Sequence, residues 1–145
     1  GGTAWYAAQR ATAEDLQNIR ACYEQIAHFQ ILGDDDQAAI ADAKFHLAIA
    51  EASHNLVLIQ MMRGLFDLLQ YNVVLGRRKV YTEAHCFDQL HDQHFQVMDA
   101  IERQDPEAAR TAVCGHIEFV VQQVRMIDEE DARRQRASRL NRIAP

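Results

Sequence analysis

The sequence of 145 residues is 48% hydrophobic and 25% charged, which is typical of one folded domain and excludes a disordered chain. Its formal net charge of -6 gives no electrostatic reason to expect binding to nucleic acid or anionic lipid. The 3 cysteines lack a C-x-x-C spacing, which argues against disulfides and zinc–thiolate sites and predicts reduced thiols in the cytoplasm. The most apolar run is interrupted by Arg63 and Asp67, and we therefore expect no membrane span.

Signals for helices follow one another along the chain, and no strand pattern accompanies them. Thr12 and Asp15 form a capping-box pattern, and Asp105 before Pro106 is the clearest helix start. Together with the hydrophobic periodicity, these signals predict helices over about 4–10, 13–30, 34–55, 56–75, 82–103 and from 106 into the 120s or beyond. Because the connections are short, neighbouring helices should pack antiparallel. The predicted fold class is an all-α bundle.

The C-terminal end is a local exception to the acidic charge. Arginines are concentrated there, at Arg133, Arg134, Arg136, Arg139 and Arg142. We interpret this basic tail as a solvated or frayed C-terminus, because chain ends without apolar anchors are rarely ordered.

Two polar residues lie within the apolar face of the third predicted helix. At about 100° per residue, Asp42 and His46 are only roughly 40° apart and share their side with Phe45 and Ile49. A buried carboxylate without a partner is costly or changes its pKa. His46 could supply that partner, so this pair alone does not indicate a functional site.

Two further predicted helices also carry a histidine within their apolar face. His94 is central to an apolar stripe that contains Val97 and Ile101, and His116 is surrounded by apolar residues such as Val120. Three helices of one small bundle thus carry a histidine within their apolar faces, and one of them also carries a carboxylate. This pattern indicates that the four side chains share one binding partner. A shared cation would satisfy all four groups, and bundle cores are a frequent place for such sites.

Three imidazoles and one carboxylate suit zinc, nickel, iron or manganese. A six-coordinate ion would keep two positions open, which would suit a small acid that chelates through a carboxylate oxygen and a neighbouring hydroxyl. Two alternatives stay open on the pattern alone. One is a metal-dependent hydrolase or oxygenase, although no second acid or base shares the stripes. The other is a structural bundle whose buried histidines hydrogen-bond to Asp42 without a metal.

Two stretches carry a family resemblance. The segment "DAKFHLAIAEASHN", residues 42–55, resembles the D-x-x-F-H…A-x-x-N signature of the FCD ligand-binding domain. This domain occurs in the FadR subfamily of GntR bacterial transcription regulators. The segment "HFQVMDAIERQDPEAARTAVCGHI", residues 94–117, is similar to the family's H-x-x-x-x-x-A-I-x-x-x-D-x-x-x-A…H-I stretch. The resemblance covers nearly the whole chain.

The resemblance implies a bundle of six to seven antiparallel helices around a central cavity that holds a divalent metal ion. The family's ligand positions map onto Asp42, His46, His94 and His116. Zinc is the expected ion, with nickel, manganese or iron as alternatives. The effector would be a small carboxylate bound to the ion, and likeness to lactate-responsive members makes it L-lactate or D-lactate. The implied partners are a second copy in a homodimer and operator DNA.

The chain departs from the family pattern in two ways. No winged helix-turn-helix is present, so we expect residues 1–145 to form one FCD domain, slightly truncated at its N-terminus, that senses the effector without catalysing a reaction. Operator DNA would be bound only through the absent N-terminal domain. The family's R-x-x-L-E stretch, whose arginine reaches the effector, has no counterpart before Thr3. Arg63 is our candidate replacement for effector binding, and an ion pair with Asp67 is the alternative.

Overall fold

The computed structural model describes residues 1–66 and 84–143, and these residues are almost entirely helical. The helices are α1 (Gly2–Arg10), α2 (Ala13–Ile31), α3 (Asp35–Ala52), α4 (described over 56–66), α5 (Ala84–Glu102) and α6 (Pro106–Ile143). No strand occurs within these ranges. The prediction of an all-α bundle is therefore confirmed. The predicted end of the fourth helix and the predicted start of the fifth lie outside the described residues.

The helix starts follow the predicted capping residues. The Thr12 hydroxyl accepts a hydrogen bond from the Asp15 amide at 3.2 Å, and the Asp15 carboxylate accepts one from the Thr12 amide at 2.8 Å, which completes the capping box. The Asp105 carboxylate accepts a hydrogen bond from the Ala108 amide at 3.0 Å and caps α6. These bonds satisfy amide groups that have no partner inside the helix.

Helix α3 ends before its predicted end. It stops at Ala52 rather than near Asn55, because the chain turns at Ser53 and at His54, whose φ is 47°. Helix α6 has 38 residues and ends at Ile143, in agreement with the prediction that it runs into the 120s or beyond. Of the two alternatives for the basic tail, the solvated one applies, because the tail is helical and Arg133, Arg134 and Arg136 are exposed.

The core forms where α1 packs against α3, α5 and α6, while α2 packs on α3 and α5 packs on α6. Its largest fully buried side chains include Phe45, Ile19, Ile26 and Ile49. This arrangement turns the inner faces of α3, α5 and α6 towards one another. The three helices that carry the unusual histidines therefore meet in the centre of the bundle.

The structure bears on the expected reduced thiols and on the expected lack of a membrane span. Cys22 and Cys114 are free thiols. Within residues 1–66 and 84–143, no helix combines the length and the hydrophobicity needed to cross a bilayer. Part of the apolar run, including Asp67, lies outside the described residues.

Candidate metal centre

Four side chains from three helices meet inside the bundle. Asp42 and His46 are on α3, His94 is on α5 and His116 is on α6. All four are buried, with exposed fractions of 2%, 8%, 0% and 2% respectively. One ligand atom from each lies within 4.8 Å of those from the other three. We call this group the Asp–His cluster.

Short contacts connect the members of the Asp–His cluster. The Nε2 atom of His94 lies 2.8 Å from Oδ1 of Asp42, and Nε2 of His46 lies 3.4 Å from the same oxygen. The Nε2 atoms of His46 and His116 are 3.2 Å apart. In each of the three imidazoles, the nitrogen nearest to the other members is therefore Nε2.

The aromatic ring of Phe45 packs against two of these imidazoles. The ring centroid of Phe45 lies 5.5 Å from that of His46 and 5.2 Å from that of His94, both in edge-on geometry. Phe45 is fully buried. Edge-to-face packing is a favoured arrangement for aromatic rings, and here it restricts the rotation of both histidines.

The buried surroundings also decide the charge of His46. Burial lowers the pKa of His46 to about 4, because an imidazolium ion is poorly solvated inside the bundle. The ring is therefore neutral at pH 7. A neutral imidazole is the form that binds a metal ion.

Gln93 orients His116 from outside the cluster. Its Oε1 atom lies 3.2 Å from Nδ1 of His116. When Nδ1–H donates this hydrogen bond, the lone pair of a neutral ring is left on Nε2, which faces the cluster. Partners of this kind fix the tautomer of metal-binding histidines. Gln93 was not predicted from the sequence, because a glutamine beside a buried histidine carries no periodic signal.

The chemistry and spacing of the Asp–His cluster fit a divalent cation. Nitrogen and oxygen ligands at 2.0–2.2 Å from one zinc ion lie roughly 3.3 Å apart in a tetrahedral site. The contacts of 2.8, 3.2 and 3.4 Å are close to this separation. Imidazole and carboxylate are ligands for several transition metals. The cluster could therefore hold a metal ion after small side-chain adjustments.

A cavity of about 150 Å³ adjoins the cluster on the side of His46. Helices α1, α3, α4 and α6 contribute to its lining. Among the described residues, the lining includes Gly1, Thr3, Ala43, His46, Ile49, Met62, Leu65, Phe66, Val113 and Ile117. The contributions of α1 and α4 were not predicted. His46, the most exposed cluster member, therefore connects the buried cluster to a space large enough for a small molecule.

Arg63 is not brought to this cavity. Its Nη2 atom lies 2.8 Å from Oε1 of Glu51, and both side chains are partly exposed. Arg63 is also not among the residues that line the cavity. The predicted alternative partner, Asp67, lies outside the described residues. A role for Arg63 in effector binding stays a prediction without geometric support here.

Two other carboxylates, Asp92 on the same helix as His94 and Glu51 on the same helix as His46, do not face the cluster either. The Asp92 side chain is 77% exposed, and Glu51 pairs with Arg63. His91 hydrogen-bonds through Nε2 to the Tyr23 hydroxyl at 2.8 Å rather than to the cluster. The alternative of a metal-dependent hydrolase or oxygenase thus gains no acid or base from these residues.

Sequence relatives have the names of transcription regulators. The chain is 46% identical over 138 residues to the "Putative L-lactate dehydrogenase operon regulatory protein" of Escherichia coli K12, covering 95% of this chain and 52% of the relative. It is 28% identical over 137 residues to the Glc operon transcriptional activator of the same organism, covering 90% and 52%. The chain thus spans about half the length of these relatives. Their names are not those of enzymes, in agreement with the sequence analysis.

The fold also has a solved counterpart. The structure of E. coli McbR/YncC superposes with a TM-score of 0.70 and 18% sequence identity, covering 86% of this chain and 61% of that one. At this identity the comparison concerns the fold alone. Finally, a family model described as the FCD domain matches residues 1–119, and the chain therefore belongs to the FCD domain family.

Proposed function

We propose that this chain is the effector-sensing domain of a bacterial transcription regulator. Membership of the FCD domain family and the names of its relatives support a regulator. The domain would occupy residues 1–145 and work in the cytoplasm. Operator DNA would be bound by a winged helix-turn-helix domain outside this sequence, as the family resemblance implies.

The observation that carries the proposal is the convergence of Asp42, His46, His94 and His116 at one buried point. We assign these four residues as ligands of a divalent metal ion, with zinc as the first choice. Three imidazoles and one carboxylate are ordinary zinc ligands, and the absence of thiolates from the cluster is compatible with nickel, manganese or iron. When bound, the ion would supply positive charge and a coordination position for the carboxylate of an acid.

The proposed effector is lactate. The relative that is 46% identical is named for an L-lactate dehydrogenase operon. Lactate has about six non-hydrogen atoms, like benzene, which is known to fill a protein cavity of about 150 Å³. The cavity beside His46 has about the same volume.

Regulation requires the effector to favour one arrangement of the whole protein over another. Equal affinity for both arrangements would shift no equilibrium. We propose that α1, α4 and α6 carry the lactate-dependent difference, because residues of all three helices line the cavity. In a homodimer, such a difference would change the spacing of the two DNA-binding domains.

The test is calorimetry with L-lactate, D-lactate and citrate, combined with elemental analysis of the purified protein. The wild type should contain a stoichiometric divalent metal and bind lactate, and His94→Ala should lose both. His91→Ala is the matched control, since His91 is on the same helix but contacts Tyr23. Metal-free wild-type protein, or unchanged lactate binding by His94→Ala, would overturn the proposal.

A further inference from the structure

The C-terminal part of α6 has a charge opposite to that of the whole chain. Residues 132–143, which we call the arginine-rich end, contain five of the 15 basic residues of the sequence and none of its 21 acidic residues. All five are arginines, namely Arg133, Arg134, Arg136, Arg139 and Arg142. The net charge of -6 therefore applies to the chain as a whole but not to this segment.

The arginine-rich end begins beyond a part of α6 that packs on the bundle. Ile127 still packs against a small core cluster. Further along, the side chains of Arg133 and Arg134 are 73% and 72% exposed, and Arg136 is also exposed. At 1.5 Å per residue, Arg136 lies about 13.5 Å beyond Ile127 along the helix axis. This distance exceeds the Debye length of about 10 Å at 0.1 M salt, so acidic groups of the packed bundle are largely screened from Arg136.

An acidic run precedes the arginine-rich end, and two of its members pair with arginines. Nη2 of Arg133 lies 3.7 Å from Oε2 of Glu129, and Nη2 of Arg134 lies 3.2 Å from Oε1 of Glu130. These pairs connect exposed residues four positions apart, and such pairs contribute little to stability. Both arginines can therefore exchange a carboxylate for another anion with little loss of stability.

The next arginines have other arginines as their charged neighbours along the helix. Neither Arg136 nor Arg139 has an Asp or Glu three or four positions away. Arg133 and Arg142 continue the same spacing of three residues on either side of them. Like charges at this spacing repel one another and disfavour the helix. A ligand with closely spaced negative charges would replace this repulsion by attraction.

We propose that the arginine-rich end binds the phosphate backbone of double-stranded DNA without reading its sequence. From Arg133 to Arg142 the helix extends over about 13.5 Å, and a DNA duplex of this length carries about eight phosphate charges. Each arginine can therefore meet a phosphate, and its planar guanidinium group can donate two hydrogen bonds to the phosphate oxygens. The contact would add affinity to a regulator whose operator is recognised by another domain, since phosphate contacts carry no sequence information.

Two other anionic partners fit the arginine-rich end less well. Binding to an anionic membrane would need a broad apolar face, but Leu140 and Ile143 are the only large apolar residues of this segment. The acidic run of a second copy, residues 128–131, has four carboxylates, and two of these already pair within their own helix. DNA has the higher density of charge, and the proposed function brings it close to the domain.

The test is the fluorescence anisotropy of a labelled DNA duplex of about 20 base pairs, titrated with the whole 145-residue chain. If about four phosphates are contacted, the affinity should decrease about 100-fold between about 50 and 200 mM KCl. Arg136→Gln/Arg139→Gln removes about two contacts. It should lower the affinity at 50 mM KCl at least about tenfold and reduce the salt effect to about tenfold. Two duplexes of unrelated sequence should bind equally well.

Two further variants separate this local charge from other effects of the substitutions. Arg110→Gln/Arg125→Gln is the matched control, because it removes two exposed arginines of the same helix outside the arginine-rich end. It should keep the wild-type affinity and salt dependence. Arg136→Lys/Arg139→Lys retains both positive charges and should keep most of the affinity, which shows that charge rather than an altered helix decides binding.

The proposal is overturned if the wild type does not bind the duplex at about 50 mM KCl, or if the control variant loses as much affinity as Arg136→Gln/Arg139→Gln. Binding to phosphatidylglycerol vesicles without binding to DNA would identify a membrane surface instead. Salt-sensitive self-association without DNA binding, lost in Arg136→Gln/Arg139→Gln, would identify a second copy. The titration needs neither metal nor lactate, so its outcome is independent of the calorimetric test of the proposed function.

Discussion

The Nε2 atom of His94 lies 2.8 Å from Oδ1 of Asp42, within a bundle core where their side chains are 0% and 3% exposed. The contact is close, but its geometry is not that of a hydrogen bond. Both atoms are proposed ligands, and each must be free of a proton to bind a cation. Because protons compete with the cation for these atoms, metal affinity should decrease at low pH.

The charge of Asp42 can be tested without changing the shape of its side chain. Asp42→Asn should lower zinc affinity by more than about 100-fold, beyond the 10–100-fold effect typical of an outer-shell partner. The reason is the replacement of an anionic ligand oxygen by a neutral amide. Competition titration with a fluorescent zinc chelator measures the affinity. Asp36→Asn, an exposed site in the first turn of the same helix, should leave it unchanged. Similar affinities for both variants would exclude Asp42 as a ligand.

Gln93 should influence the metal site without being a ligand. Gln93→Ala removes the acceptor at Nδ1 of His116, so the ring is free to rotate and to adopt the other tautomer. We expect a decrease in zinc affinity of about 10–100-fold. The same competition titration measures it, and Gln96→Ala, an exposed position on α5, is the control. A wild-type affinity in Gln93→Ala would mean that packing alone orients His116.

The buried neutral state of His46 predicts acid sensitivity of the metal-free protein. The pKa of this imidazole is about 4 in the folded state, against an ordinary value of 6.5. Between these two values the unfolded state binds more protons, so the free energy of unfolding should fall as the pH decreases from 6.5 through 4. The total loss is on the order of 3 kcal/mol.

Urea unfolding at several pH values, in the presence of a chelator, measures this dependence. His46→Gln cannot take up the proton and should lose stability less steeply over the same window. His28→Gln replaces an exposed histidine and should keep the wild-type slope. Parallel slopes for the wild type and His46→Gln would show that other groups cause the acid sensitivity.

The capping box at Thr12 should contribute to stability but not to metal binding. Thr12→Ala removes the hydroxyl that caps α2 and should destabilise the protein by about 1 kcal/mol. This corresponds to a decrease in Tm of about 2–4 °C for a domain of this size. Thr12→Ser keeps the hydroxyl and should restore most of the loss. A reduced zinc affinity in Thr12→Ala would contradict the separation of the two effects.

Features that depend on helical periodicity and on local hydrogen bonds could be predicted from the sequence. The positions of Asp42 and His46 within one apolar stripe follow from about 100° per residue, and the caps at Thr12 and Asp105 depend on neighbours within three residues. Such relationships are contained in a short stretch of chain. The structure confirms the caps and brings the four predicted ligand residues together.

Features that depend on contacts between helices were missed or misplaced. The ion pair of Arg63 with Glu51 connects α4 to α3, and the cavity lining draws Thr3 from α1. Neither spacing nor periodicity specifies which helices are neighbours. The C-terminal end of α6 could not be fixed from the sequence, because its charged part lacks an apolar stripe. Exposed pairs between Glu130 and Arg134, and between Glu129 and Arg133, accompany the helix there.

Helix α6 connects the proposed ligand His116 with the distant Ile143 through uninterrupted helical turns. At 1.5 Å per residue, this stretch is about 40 Å long. A tilt of about 5° near His116 would therefore move the far end by about 3.5 Å, if the stretch moved as a straight rod of this length. The helix would then act as a lever arm, turning a small displacement at a buried imidazole into a larger one at its arginine-rich end.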